Sequence, residues 1–532
     1  MPRKRCLAVL LFLVLCPMAA ADPAFEMVGW QFHDYDMPLS REAIALAPDY
    51  GVNFIILSHG LIGEASQVLK DDARAADLAE LTEWAALHGI RTYLWLHELN
   101  DLPIEFMQDG LALVDHPALP TFLRGRYDDL FRRMPGIAGI VMTLHESGRR
   151  IFRSTEVISE LPVPDRMMRI LDPCYDACKA AGKQLIVRNF FYQPKEVEWF
   201  SEALGRLPDD VLVMGKTTPH EFMPFFPPDP MMGRVPGKKS IVEFDLGYEK
   251  ATTSHSAYCQ IEYIGRYART AESRGATGVV GRCHLGETQG FNKLGECNYY
   301  AFSRFAANPG LGADSVLREW VKLRFPPAAV EPMISALSRT QEMAHRSRYT
   351  LSCWVYPLRG YHYAFGHIRL RSTYLWSRDE ADREMTELLM HPTPELYERI
   401  LGEKDEVMEM CKASLADFER AALHMHPEQA APIRDRFERN LFEAKKKRAA
   451  SRSFWAFRLW LEGRQEYRDD VLAGFEQLRE LDPDDGRVVK FIAELEEKMA
   501  DPEAARAEDE KIMREISYRL DPERRAREGY PD

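Results

Sequence analysis

The sequence predicts an α/β fold, a (β/α)8 TIM barrel followed by a C-terminal α-helical domain, and three observations predict it. Eight short runs rich in β-branched and aromatic residues alternate with helical patterns between residues 25 and 325. Several are unbroken apolar runs, such as Phe54-Ile55-Ile56-Leu57 and Leu185-Ile186-Val187, as expected of parallel strands covered on both faces. Beyond residue 330 strand signals give way to Glu, Arg, Ala, Leu and Met at helical spacing. Eight strand–helix units in ~250–300 residues is the rhythm of a TIM barrel. The rival is a doubly wound open sheet. That fold carries a Gly-rich phosphate loop after its first strand, which Phe32-His33-Asp34-Tyr35-Asp36 is not.

Taken in order, the strands are expected at 27–33, 53–58, 91–96, 138–144, 184–190, 211–216, 240–246 and 278–284. Helices are expected at 41–50, 73–88, 120–134, 165–181, 195–207 and 257–274, each amphipathic. Gly51, Gly89, Gly182 and Gly275 follow four of them where a left-handed C-cap belongs. The Pro-rich connection 222–239 is expected to lack a full helix. Residues 22–325 make the barrel in this reading and 326–532 the helical domain, whose end beyond Asp501 is charged enough to suggest a loosely packed helix or tail. An aromatic segment, Cys353-Trp354-Val355-Tyr356 through Tyr363, interrupts that domain. It reads either as a surface docked on the barrel or as a lobe that stacks on sugar at its mouth.

Residues 1–21 read as a signal peptide: a basic start at Arg3-Lys4-Arg5, an apolar run from Leu7 to Leu15, and small residues at Ala19-Ala20-Ala21. A periplasmic or extracellular location is expected. Removing them leaves 66 basic against 82 acidic residues, a net charge of −16. So acidic a chain does not suit nucleic acid or an anionic membrane as partner. Seven cysteines would remain without dense spacing. Cys174 and Cys178, one helical turn apart, read as buried thiols and not as half of a zinc site. No metal or cofactor motif is present, so neither is expected; a homodimer is left open.

In a TIM barrel the chemistry sits at the C-terminal ends of the strands. Those ends carry His97-Glu98, His145-Glu146, Arg188-Asn189, Lys216 with His220-Glu221, Glu249, and Arg282, His284 and Glu287. Convergent carboxylates suit glycoside hydrolysis, in which one carboxylic acid protonates the leaving oxygen while another carboxylate activates water or attacks the sugar. Any one of these acids could instead be an ion-pair partner. His145 and His220 read equally as ligands of sugar hydroxyls or as packed supports.

Further segments carry a family resemblance. Cys297-Asn298-Tyr299-Tyr300-Ala301-Phe302-Ser303-Arg304-Phe305-Ala306 and Glu319-Trp320 resemble the segment leaving the eighth strand in glycoside hydrolase family 67, the α-glucuronidases. Arg188-Asn189-Phe190-Phe191-Tyr192, Lys216 to Phe222, and Glu243-Phe244-Asp245-Leu246-Gly247-Tyr248-Glu249 are similar to further family motifs, in the same order. The resemblance implies Glu146 as general acid, Glu221 and Glu249 as the pair that activates water for inversion, and Arg188 and Lys216 as ligands of a uronate carboxylate; His145, His220 and His284 are further candidate sugar contacts by their place at the strand ends. It thus implies an exo-acting glycosidase on an α-linked, acidic sugar of a polysaccharide or oligosaccharide. There are departures. Glu221 stands where the family has Asp, Met142 where it has a uronate-binding Lys, and Met27 already begins the barrel where the family has a β-rich domain. A hydrolase of another glycoside, and a barrel that binds carbohydrate without cleaving it, are the alternative readings.

Overall fold

The computed structural model describes residues 23–146, 148–235, 237–247, 255–286, 290–359 and 373–520, the last six without side chains. The expected signal peptide therefore lies outside the described residues, as do Glu249 and Glu287. Eight parallel strands close into a barrel: β1 Met27–Phe32, β2 Phe54–Leu57, β3 Arg91–His97, β4 Gly139–Thr143, β5 Gln184–Arg188, β6 Leu212–Lys216, β7 Ser240–Asp245 and β8 Gly278–Cys283. β1 closes the ring on β8 with Met27 opposite Gly278 and Phe32 opposite Cys283. Helices connect the strands, and the expected helix ends hold: Gly182 and Gly275 both take left-handed backbone, at φ 66° and 80°, which costs glycine little. The connection 222–239 contains no helix among its described residues.

The interior is filled and not hollow. Met27, Phe54, Ile56, Tyr93, Trp95, Val141, Ile186, Leu212, Met214, Ile241 and Val280 form one buried cluster inside the ring, the layered packing that closed eight-stranded barrels require. The fit is close. A Cβ on Gly29 would lie 2.3 Å from the Phe54 ring, and one on Gly139 would lie 2.0 Å from the Gln184 carbonyl oxygen.

Two features depart from the sequence expectations. Residues Met107–Gln108, Leu111–Leu113 and Val157–Ile158 form a small three-stranded sheet beside the barrel, built from the connections after β3 and β4. Such two- and three-residue strands are too short to leave a period-2 signal. The described stretch after Asp501 is also better packed than its charge suggested. Helix Pro502–Leu520 buries Ala505 and Met513 in a second core with Val471, Phe475 and Phe491.

That second core belongs to the helical region, whose longest helices are Pro394–Ala422 and Pro427–Leu461. Val330, Met333, Phe418 and Phe437 pack instead into the cluster that surrounds the barrel strands, so the first part of the region is continuous with the barrel. Its polar contacts reach the loop that follows β7. Thr340 Oγ1 accepts from the Cys259 amide at 3.0 Å, Asn440 Nδ2 donates to the Ala257 carbonyl at 2.9 Å, and His345 Nε2 lies 3.0 Å from the Tyr258 hydroxyl. Trp354 is buried, edge-on to His220 and to Phe226. This part of the aromatic segment docks on the barrel; residues 360–372 lie outside the described residues.

Candidate active site

Side chains alternate along a strand, so the residue two past a core position points the same way one layer higher. Above Met27 the inward positions of β1 are Gly29 and Gln31. Above Ile56 of β2 comes Ser58, and above Trp95 of β3 comes His97. Ile186, Met214, Ile241 and Val280 are followed by Arg188, Lys216, Glu243 and Arg282. The top layer is therefore polar because the barrel opens there.

Arg188 anchors this layer. Its Cζ lies 4.3 Å from the centre of the Trp95 ring, and its Nε and Nη2 reach Glu243 Oε2 at 2.8 and 2.7 Å. Its Nη1 donates to Glu146 Oε2 at 2.6 Å. Arg188 and Glu243 are both about 1 % exposed, whereas 29 % of the Glu146 side chain remains open. Lys216 sits between two acids, its Nζ 3.9 Å from Glu146 Oε1 and 3.5 Å from Glu221 Oε2, over the Phe190 and Phe222 rings. Burial pushes its ammonium below the usual lysine range, although both glutamates pull the other way. Burial alone would raise the Glu146 carboxyl. Lys216 and Arg188 outweigh it and hold that carboxyl down at about 2.

Local backbone decides which residue of each strand end faces the mouth. β4 stops at Thr143, whose Oγ1 accepts from the Glu146 amide at 3.4 Å in a tight turn. That turn presents Glu146 to the mouth and sends His145 outward, where it is fully buried among Phe152, Phe191 and Phe200. Glu221 has left-handed backbone at φ 56°, uncommon for a side-chain-bearing residue. Thr218 Oγ1 donates to its carbonyl at 2.9 Å and braces the turn. Asp245, at the end of β7, lies 3.4 Å from His284 Nε2 and 3.6 Å from Arg282 Nε. Burial raises its carboxyl, but Arg282 and His284 overcome this and leave it far below the usual carboxylate range.

The opposite side of the mouth is an arc of imidazoles. His33 and His59 have ring centres 4.0 Å apart, His59 and His97 5.5 Å, and His33 and His284 6.0 Å. Burial pushes His33, His59 and His97 all below the usual histidine range, so they are neutral at pH 7 and offer both a donor and an acceptor. His33 Nδ1 is tied to Ser58 Oγ at 2.7 Å, while its buried Nε2 has no partner among the described residues. Buried polar atoms of this kind normally bind something. Sequence reading placed His97 at a polar strand end but did not single out His33 or His59, because histidines from separate strands have no common spacing.

The candidate residues thus divide. Glu146, Glu221, Arg188, Lys216 and His284 lie at the mouth. His145 does not. His220 is buried against Phe190, Tyr192 and Trp354 and supports the wall. Glu98, a polar strand end in the sequence, turns away to pair with Arg126 and Tyr127 of helix Leu119–Arg133. Arg188 spends its guanidinium on two protein carboxylates and is not free for a substrate carboxylate as expected.

The segments that carried the family resemblance hold loops in place. In helix Glu296–Ala307, Asn298 Oδ1 accepts from the Gln260 amide at 2.9 Å and its Nδ2 donates to the Leu246 carbonyl at 3.2 Å. The Tyr299 hydroxyl donates to the His284 carbonyl at 3.0 Å. The Arg304 Nε donates to Glu319 at 3.0 Å. The Asn298 and Tyr299 contacts brace the segments that follow β7 and β8, and the Arg304 pair joins two helices.

Fold and site together define a closed (β/α)8 barrel with paired carboxylates at its C-terminal mouth, braced by a helical region. Solved structures similar to it include glycoside hydrolases. One is a GH138 enzyme targeting pectin rhamnogalacturonan II, with a TM-score of 0.62 and 13 % identity over 91 % of this chain and 68 % of that one. Another is a family GH115 4-O-methyl-α-glucuronidase with specificity for decorated arabinogalactans, with a TM-score of 0.50 and 13 % identity over 88 % of this chain and 60 % of that one. At such identities the likeness shows the fold. No sequence-family profile and no curated protein matches the chain.

Proposed function

We propose that this chain is an exported glycoside hydrolase that removes a terminal, α-linked acidic sugar from a polysaccharide or oligosaccharide. The observation that carries the reading is the placement of Glu146 and Glu221, from two different strand ends, on either side of the Lys216 ammonium. A sugar entering there meets two carboxylates with the imidazole arc opposite for its hydroxyls. The glycoside hydrolases that share the fold support the class of reaction. In this reading the barrel, 22–325, is the catalytic unit, and the helical region, 326–532, braces the loop after β7.

The electrostatics favour the opposite roles to those that the resemblance implied. A general acid must hold a proton near neutral pH, and Glu146, with two cations on it, stays ionised down to about pH 2. Glu146 then acts as the base that activates water, and Glu221, the other carboxylate open at the mouth, is assigned the proton donor. Arg188 is a positioning residue that acts through Glu146. The two Lys216 distances bound the gap between the near oxygens of Glu146 and Glu221. They admit the ~5–5.5 Å of a retaining pair and the lower part of the ~6.5–9.5 Å of an inverting one. Inversion, favoured by the resemblance, remains our reading. The test is sugar release from α-linked uronic-acid oligosaccharides and from aryl α-uronosides, with NMR of the first anomer formed. Glu146→Gln abolishes turnover of both substrate types. Glu221→Gln abolishes turnover of the oligosaccharides but spares aryl glycosides, whose leaving groups need no proton. Full activity in either variant on the oligosaccharides would overturn the assignment.

A further inference from the structure

One part of the mouth is not used by this chemistry. The loop that leaves β4 after Glu146 carries Arg150 and Arg153, and both guanidinium groups lie 5.1 Å from the centre of the Tyr192 ring. Tyr192 follows the end of β5, half-buried against Phe190 and His220, and it feels the charges of both Glu146 and Glu221. The two arginines therefore stand at the lip beside the proposed catalytic pair.

Their charges are unequally matched. Glu156 takes Arg150 almost completely: its carboxylate accepts from the Arg150 amide at 2.6 Å and from its Nε at 2.9 and 3.0 Å, and also pairs with Nη2. Arg153 reaches the same carboxylate only at 3.7 Å, and 31 % of its side chain is open. Glu196, the other acid nearby, accepts from the backbone amides of Tyr192 and Gln193 at 2.6 and 3.4 Å, and its charge also acts on Arg153. Burial first and the neighbouring Arg150 next act against the Arg153 cation, and they outweigh the favourable charges of Glu156, Tyr192 and Glu196, yet an arginine does not shed its proton. A partly desolvated cation that shares one carboxylate with a better-placed neighbour gains most from an added anion.

We infer that Arg153, with Arg150 and Tyr192 behind it, forms an anion subsite at the lip of the barrel mouth, which takes an oxyanion carried by the saccharide. A uronate carboxylate and a sulfate ester share this chemistry. Arg153 supplies a planar pair of N–H donors to the anion, Arg150 and Glu156 fix the loop, and the Tyr192 ring supports the guanidinium from behind. The inference rests on the glycosidase reading for its saccharide, and it adds a residue that discriminates charged from neutral ligands.

The test separates the two ideas by measuring binding without turnover. Titration calorimetry on the full-length Glu146→Gln protein would compare three probes: a uronic-acid oligosaccharide, its carboxyl-reduced neutral counterpart, and a sulfated oligosaccharide of the same backbone. The expected result is a preference for one or both charged probes, and the ratio of charged to neutral affinity falls about tenfold in the added Arg153→Gln variant. Preference for the uronate, the sulfate or both identifies the source of the anion. Equal affinity for charged and neutral probes, or a ratio unchanged by Arg153→Gln, overturns the subsite. If the wild-type protein releases no sugar but the charge preference and its loss persist, the hydrolase reading fails and the subsite stands.

Discussion

The Arg188 guanidinium offers the most demanding test of how the site is built. Arg188→Met keeps an apolar stem and removes the charged guanidinium that lies over Trp95. Glu243, about 1 % exposed and with Oε1 unpartnered among the described residues, then loses the contacts at 2.7 and 2.8 Å that neutralise it. Breaking a buried pair from one side costs ~3–5 kcal/mol. Glu146 also loses one of its two cations, so its carboxyl climbs from about 2 back toward the ordinary 4.5. Urea unfolding followed by circular dichroism at pH 7 reads the first effect. The second variant, Arg188→Met/Glu243→Leu, removes the stranded charge and is expected to recover more than half of the loss. The reasoning fails if the single variant unfolds within about 1 kcal/mol of wild type, or if the double variant is no more stable than the single one.

The same packing has other consequences. Gly139→Ala puts a methyl group 2.0 Å from the Gln184 carbonyl, a backbone atom that cannot swing aside; the soluble yield should collapse, and a normally folded variant would show the β4–β5 spacing to be wrong. Trp354→Ala empties a site buried against His220 and Phe226 and should lower stability by ~3–5 kcal/mol, read as an earlier urea midpoint. Acid should destabilise the fold from about pH 6 downward. Burial holds His145 and His345 neutral with pKa values near 3 against an ordinary 6.5, so the unfolded chain binds protons that the native state refuses. Stability contributed by these groups is full above pH 6.5 and declines as the pH falls toward 3. His145→Phe, in its aromatic surroundings, should flatten that slope in thermal unfolding measured across pH, and an unchanged slope would count against the assignment.

Much of this was written locally. The eight strands lie within a residue or two of where the apolar runs put them, because strands covered on both faces leave continuous hydrophobic segments and their helices leave a 3.6-residue period. The glycines after the helices were equally legible, since a left-handed residue leaves few alternatives. The alternation of side chains along a strand also explains why Arg188, Lys216 and Arg282 reach the mouth: each stands two residues above an interior apolar one.

Tertiary structure decided what the acids and histidines do. His145 and Glu146 are adjacent in sequence, yet a turn braced by Thr143 sends one into an aromatic pocket and the other to the mouth. Glu98 was spoken for by Arg126 and Tyr127 on a helix some thirty residues away, and Arg188 by Glu243 and Glu146. Charge pairing and ring packing act through space, over distances that sequence spacing does not encode. The composition of each strand end therefore determined that a polar mouth would form, whereas only the closed barrel determined which of its charges neutralise one another and which remain for a ligand.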